Sequence, residues 1–175
     1  SEYGAGISIS PNGMKVLECM NLKSEFCKVS EQPKNTVFFS NNKKITDVLS
    51  EVRTTSRKNL YKILLKKYLS LDGEIFFDHR LEHLDIQNKN ITFSNTKSFN
   101  VCHVAACDGI KSICQEMISQ SNVKPQFSGY SVWRAIFPHK QNEINFYLGS
   151  NFHIVTYPID RKRISFIAAI KSKNE

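Results

Sequence analysis

Four short stretches of this 175-residue chain hold residue types and spacings that could do chemistry. Gly4-Ala5-Gly6-Ile7, followed by Ser10-Pro11-Asn12, would let backbone approach a flat ligand closely, because glycine interposes no Cβ. It is not the dinucleotide fingerprint, whose third glycine would fall on Ile9 and which needs a strand before it. Ser56-Arg57-Lys58-Asn59-Leu60 sits at the start of a helical pattern. An Arg in a first turn can join free backbone N–H groups in holding a phosphate or carboxylate. Ala105-Ala106-Cys107-Asp108-Gly109 ends an apolar run, and the carboxyl ends of strands are where open α/β sheets bind ligands. Gly129-Tyr130-Ser131-Val132-Trp133-Arg134 alternates aromatics with a cation and holds the single Trp. Each stretch also has a plain structural reading. In order, these are a loop before a capped helix, a solvated Arg, an Asp that caps the next helix, and a core Trp with an Arg on the opposite face.

The elements that must position these residues follow from periodicity and punctuation. Ser10 as N-cap and Pro11 at the first helical position open a helix through about residue 22. Val37-Phe38-Phe39 and the stretch around Ile45 flank an Asn-rich turn and predict a hairpin. Ser56 opens a second helix, with Leu60, Ile63, Leu64 and Tyr68 on one face, ending near Gly73. Strands are expected at 74–77, 81–86, 91–94 and 98–106, three of them forming a meander. The run 101–106 reads as a strand buried on both faces. Asp108-Gly109 turns into a third helix over 110–119. Residues 128–137, 144–148, 152–157 and 164–170 are β-rich with no helix between them. The opening residues 1–9 read as a loop.

Composition narrows the function classes. Forty-one per cent apolar residues suffice for a core and exclude disorder. No apolar run reaches the roughly 18 residues of a spanning helix, and no secretory signal pattern opens the chain. The net charge is +8, but 18 of the 24 basic residues are Lys, and Asn and Ile number 15 and 17. AT-rich codons favour all three, so compositional bias accounts for the charge and nucleic-acid binding is not expected. Five cysteines, none spaced C-x-x-C, suggest neither a zinc cage nor a disulfide framework. They suit a reducing, cytoplasmic setting.

Taken together and in order, the four stretches resemble the single-component FAD-dependent aromatic hydroxylases of the salicylate hydroxylase and ubiquinone-biosynthesis type. That family shows Gly-Ala-Gly-Ile-x-Leu-Ser-Pro-Asn before a helix, matched by residues 4–12 with Ile9 in the Leu position. His-Arg-Ala-Asp-Leu is matched by 56–60, and Gly-Ala-Asp-Gly-x-x-Ser by 106–112. A Gly-Tyr-x-x-Trp-Arg strand is matched by 129–134, and a later Tyr-Pro by Tyr157-Pro158. The departures are Ser56 for His, Asn59 for Asp, Ala106 for Gly and Gln115 for an Arg tied to NAD(P)H.

The resemblance implies a set of expectations. The fold is α/β: an incomplete FAD/NAD(P)-binding domain with a β-meander over 1–122, then the first strands of an antiparallel substrate-domain sheet over 123–175. Ala5, Gly6 and Ile7 would run along the flavin ring and ribityl chain, and Arg57 would contact the ribityl–diphosphate region. Leu81 would approach the adenosine half through its backbone. Asp108 and Gly109 would serve the FAD diphosphate and NAD(P)H. FAD would be the cofactor, NAD(P)H the co-substrate, O2 the oxidant and a small aromatic compound the substrate. No catalytic acid or base is assigned; His153 and Tyr147 are polar candidates for the cavity wall, with a structural role the plainer reading. The glycine-rich unit that holds the FAD diphosphate would precede Ser1 and a Gly-Asp motif would follow Glu175, so the chain is expected to be an internal segment. The competing readings are a non-catalytic remnant and a related FAD-linked oxidoreductase.

Overall fold

The computed structural model describes residues 6–119 and 124–173. These residues divide into two compact units: the segment up to Gly73 together with the segment from Gly129 on, and Glu74–Ser128. The first unit opens with β1 (Gly6–Ile9), α1 (Pro11–Cys19), α2 (Lys23–Lys28), β2 (Asn35–Ser40), β3 (Lys43–Leu49), β4 (Arg53–Ser56) and α3 (Arg57–Leu69). The second holds β5 (Leu81–Asp85), β6 (Asn90–Phe93), β7 (Ser98–Asn100) and α4 (Ile113–Ser119). The first unit resumes with β8 (Tyr130–Pro138), β9 (Ile144–Leu148), β10 (Phe152–Pro158) and β11 (Arg163–Lys171).

Both expected N-caps form. Ser10 Oγ accepts the Gly13 N–H at 3.4 Å and Ser56 Oγ accepts the Asn59 N–H at 3.2 Å, each satisfying a donor that the helix leaves orphaned. The first helix stops at Cys19, earlier than its apolar pattern suggests, because Asn21 adopts φ 58° and turns the chain into α2. Leu17, Leu22, Phe26 and Ile63 then close a core between α1, α2 and α3. Residues 6–9, expected as loop, are the strand β1, paired antiparallel with β4.

The hairpin β2–β3 turns on Asn41 and Asn42, both at positive φ (49° and 61°), the conformation of the tight hairpin turn that Asn tolerates. It joins the later strands in one six-stranded sheet of order β3-β2-β9-β10-β11-β8. All pairs are antiparallel except β2–β9, which runs parallel. One face of this sheet carries the second core, Ile144, Tyr157 and Ile159, with Ile136, Phe146, Val155 and Ile167 packed against it. Trp133 and Arg134 do fall on opposite faces of β8, but Trp133 is not a core residue: it is 67% exposed.

In the second unit β5, β6 and β7 form the expected meander. Residues 74–77 are not a strand; Phe76 instead packs with His79 and Phe99, both of which contact Phe93. The long strand expected over 98–106 ends at Asn100, and residues 102–110 are exposed without regular structure. A strand buried on both faces needs hydrogen-bonded neighbours and covering layers. Here β7 pairs with β6 alone, and among the described strands none lies beside residues 101–106. Among the described residues no helix is long and apolar enough to cross a membrane.

Candidate functional site

The β1–β4 ladder brings three of the expected site residues together. Its register sets Gly6 opposite Ser56 and Ile7 opposite Thr55, so the strand carrying Gly6 and Ile7 ends beside the start of α3, whose first residue is Arg57. Thr54 and Thr55 are fully buried at this junction. Thr55 Oγ1 donates to the Val29 carbonyl, and Asn59 Nδ2 donates to Thr55 Oγ1 at 3.1 Å and to the Val29 carbonyl at 3.3 Å. Asn59 thus ties the first turn of α3 to the end of α2, a role invisible in the sequence. Ala5 lies outside the described residues.

Two arginines near this junction contrast sharply. Arg53 is consumed by structure: it donates to Ser30 Oγ at 2.8 Å, Gln32 Oε1 at 3.0 Å, the Ser30 carbonyl at 3.0 Å and the Cys27 carbonyl at 3.2 Å. Arg57 is exposed and makes no hydrogen bond or ion pair with the described residues. It stands at the positive end of a 13-residue helix with no acidic residue in its first turn. Positive charge at a helix N-terminus is unfavourable unless an anion joins it, so this end of α3 fits a phosphate oxygen.

Gly6 is required here by packing. A Cβ on it would lie 2.6 Å from Ser165 Cβ and 2.6 Å from the Tyr157 ring. Its N–H donates to Ser165 Oγ at 3.3 Å. Burial raises the Tyr157 phenol above its ordinary 10.0, while a hydrogen bond with Ser165 and the charge of Arg134 pull the other way. The space left by Gly6 is therefore filled by the sheet beneath it. Of the two cavity candidates, His153 shares the Tyr157 face of that sheet. Tyr147 lies on the opposite face, where it lines a cleft of about 470 Å³ with Asn41, Asn42 and Phe152.

The remaining expected residues lie in the second unit. Leu81 opens β5, half-buried and paired with Phe93. Asp108 caps α4 from the preceding turn. Its carboxylate accepts from Ser112 Oγ at 2.6 Å and from the N–H groups of Ile113 at 2.8 Å and Cys114 at 3.2 Å. The Ser112 bond, then those from the backbone, hold its pKa below the ordinary 3.8. Gly109 has φ 80° with open space where a Cβ would sit, so backbone conformation, not crowding, calls for glycine there.

No family model matches the sequence, and no curated protein matches it. Crystal structures do. PqsL, a probable FAD-dependent monooxygenase from Pseudomonas aeruginosa, matches with TM-score 0.82 and 15% identity over 98% of this chain and 52% of its own. The chain has half of an FAD-dependent monooxygenase fold. HpxO of Klebsiella pneumoniae, complexed with FAD and uric acid, matches with TM-score 0.85 and 16% identity over 100% of this chain and 49% of its own. The tetrameric 2-methyl-3-hydroxypyridine-5-carboxylic acid oxygenase gives 0.82 and 17% over 99% and 50%. The chain therefore spans about half the length of the structures it matches. The α/β fold class read from the sequence, with its meander and mainly antiparallel second sheet, is the fold observed.

Proposed function

We propose that these residues are part of an FAD-dependent monooxygenase that uses NAD(P)H and O2 to hydroxylate a small aromatic substrate. The observation that supports this reading is the fold match, which extends over essentially the whole chain in a probable FAD-dependent monooxygenase, in a protein complexed with FAD and uric acid, and in a pyridine-carboxylic acid oxygenase. As functional segments, residues 1–122 carry the cofactor motifs and 123–175 most of the substrate sheet. Five free cysteines suit a cytoplasmic setting.

When bound, FAD supplies the redox chemistry; the protein supplies position and shielding. Arg57 and the first N–H groups of α3 hold a diphosphate oxygen, and Ile7 and Gly6 present backbone along the ring. Tyr157 and Ser165 fix how far Gly6 stands from the sheet. In the second unit Leu81 offers backbone to the adenosine half. Asp108 is an unsuitable direct partner for a phosphate because it is itself an anion, and it acts by holding the turn that exposes the Gly109 backbone.

The test is to purify the longest native polypeptide containing these residues and measure bound flavin, then NAD(P)H oxidation and hydroxylated product with a panel of phenols and aromatic acids. Stoichiometric FAD with product formation is expected, and a flavin-free active protein would overturn the proposal. Arg57→Gln should weaken FAD retention at least about tenfold, the worth of one charge-assisted contact. Because Arg57 is exposed and has no hydrogen bond or ion pair with the described residues, the variant's stability from urea unfolding should stay within about 0.5 kcal/mol of the parent.

A further inference from the structure

We propose that the cleft at the shared end of strands β2 and β9 is a further binding site, and that the ligand class it takes is a neutral pyranose sugar. Binding there does not require flavin, because the cleft opens on the sheet face opposite the one that Gly6 touches.

Strands β2 and β9 run parallel and end together, with Ser40 beside Leu148. The turns that follow them, Asn41-Asn42 and Gly149-Ser150, therefore stand at the same end of the sheet. Both turns line the cleft of about 470 Å³, a volume within the roughly 300–1,000 Å³ of small-molecule sites. Its floor is aromatic. Phe39 pairs with Tyr147 and Tyr147 with Ile154, and residues directly opposite across strands share a face. The Phe39 and Tyr147 rings stack at 5.0 Å with 15° between their planes. Phe152, two residues before Ile154 and so on the same face, extends the floor. Its ring lies against Gly149, in space that a Cβ would fill.

The rims are polar and uncharged. The side chains of Ser40, Asn41, Asn42 and Ser150 make no hydrogen bond or ion pair with the described residues. Tyr147 Oη accepts from Asn145 Nδ2 at 3.5 Å and keeps its own hydrogen to donate. Among the described residues that line the cleft none carries a charge. With nothing there to pair an ion, the lining suits a neutral ligand. Amides and hydroxyls each donate and accept, so the ligand that meets several of them needs several groups that do both. Hydroxyls do; an edge atom of a heteroaromatic ring donates or accepts, not both. Aromatic faces are negative, so the floor calls for an apolar face of weakly positive C–H groups above it. A pyranose combines the two, with C–H groups across its faces and hydroxyls around its edge. An open-chain polyol carries similar hydroxyls but has no flat face, and it loses more rotor freedom on binding.

The experiment titrates the nitrogen-labelled 175-residue chain with methyl β-glucopyranoside, sorbitol and uridine, following amide resonances. The glucoside is expected to give saturable shifts at residues 39–42 and 147–154 with a Kd on the order of 1 mM. Sorbitol and uridine should each bind at least about tenfold more weakly. The double variant Asn41→Gly with Asn42→Gly removes both amides. Glycine accepts the positive φ of this turn (49° and 61°), so the fold is kept while glucoside binding falls at least about tenfold. Phe152→Leu, which takes one ring from the floor, should weaken binding about fivefold. Saturation transfer from the longest native polypeptide containing these residues should reach the glucoside and be unequal between the C–H protons of its two ring faces. Sorbitol or uridine binding as tightly as the glucoside, shifts confined to other surfaces, unchanged affinity in the double-glycine variant, or no transfer to the glucoside would each overturn the assignment.

Discussion

A methyl group added at Gly6 meets Ser165 Cβ and the Tyr157 ring, both 2.6 Å away and both on well-packed strands. Neither neighbour is the free end of a flexible side chain, so the strain has nowhere cheap to go. Gly6→Ala should destabilise by about 1–3 kcal/mol, the usual cost of overpacking, seen as a lower urea midpoint with an unchanged slope. An unaltered midpoint would mean that β1 is not seated on the sheet. The motif around Gly6 was legible because glycine spacing is local. Its physical reason was not, because the residues that crowd it lie 159 positions away in the case of Ser165. The same holds for Asn59. As a residue type at a helix start it reads as a departure from the motif, and only the fold brings the Val29 carbonyl, 30 positions earlier, within its reach. Residues whose roles are local, such as Ser10 and Ser56, are readable from the chain; residues whose roles are made by topology are not.

Among the elements, α4 shows how a motif residue can be committed to local structure. Asp108 satisfies two backbone N–H groups and the Ser112 hydroxyl at the start of a 7-residue helix. These bonds favour the ionised carboxylate, so the folded pKa lies below 3.8. Stabilisation from this group is therefore present above the unfolded value and is lost as pH falls through the lower, folded one. Hydrogen exchange of the α4 amides should accelerate as pH drops below about 4, after allowance for intrinsic rates, and Asp108→Ala should show fast exchange already at neutral pH. Slow exchange in that variant would show that packing, not the cap, holds the helix. Strands divided along similar lines. The hairpin β2–β3 and strands β8 to β11 announce themselves through alternation and turn residues. Strand β1 does not, because its four residues gain a partner only 47 positions later, in β4. Nor does the parallel pairing of β2 with β9, which no local pattern encodes. The overlong strand expected at 98–106 fails for a related reason: apolar character records what a segment suits, and pairing requires strands to be there.

For the molecule as a whole, Trp133 on β8 separates what pattern determines from what packing determines. Alternation placed Trp133 and Arg134 on opposite faces, and they are; pattern could not decide how covered each face is. Trp133 remains 67% exposed, with Tyr130 at 42% and Val132 at 51% exposed beside it. These residues lie on a 9-residue strand at the edge of the sheet. An exposed, long, apolar edge is a template for pairing with another chain. Opposing this, each copy carries +8, and like charge repels over a Debye length of about 10 Å at 0.1 M salt. The two forces respond to salt with opposite signs. If apolar edge contact drives association, added salt removes the repulsion and the weight-average mass should rise; if charge contacts drove it, mass should fall. We expect the rise, and we expect Trp133→Lys to abolish it by adding a charge at the edge and removing the largest exposed ring. Light scattering against salt for the two proteins reads this directly. Because Trp133 is the single tryptophan, its fluorescence checks the premise in the same sample: iodide should quench it freely at low salt and progressively less as association proceeds. A tryptophan shielded from iodide in the dilute monomer would mean that this face is already covered, and the edge could not be the contact.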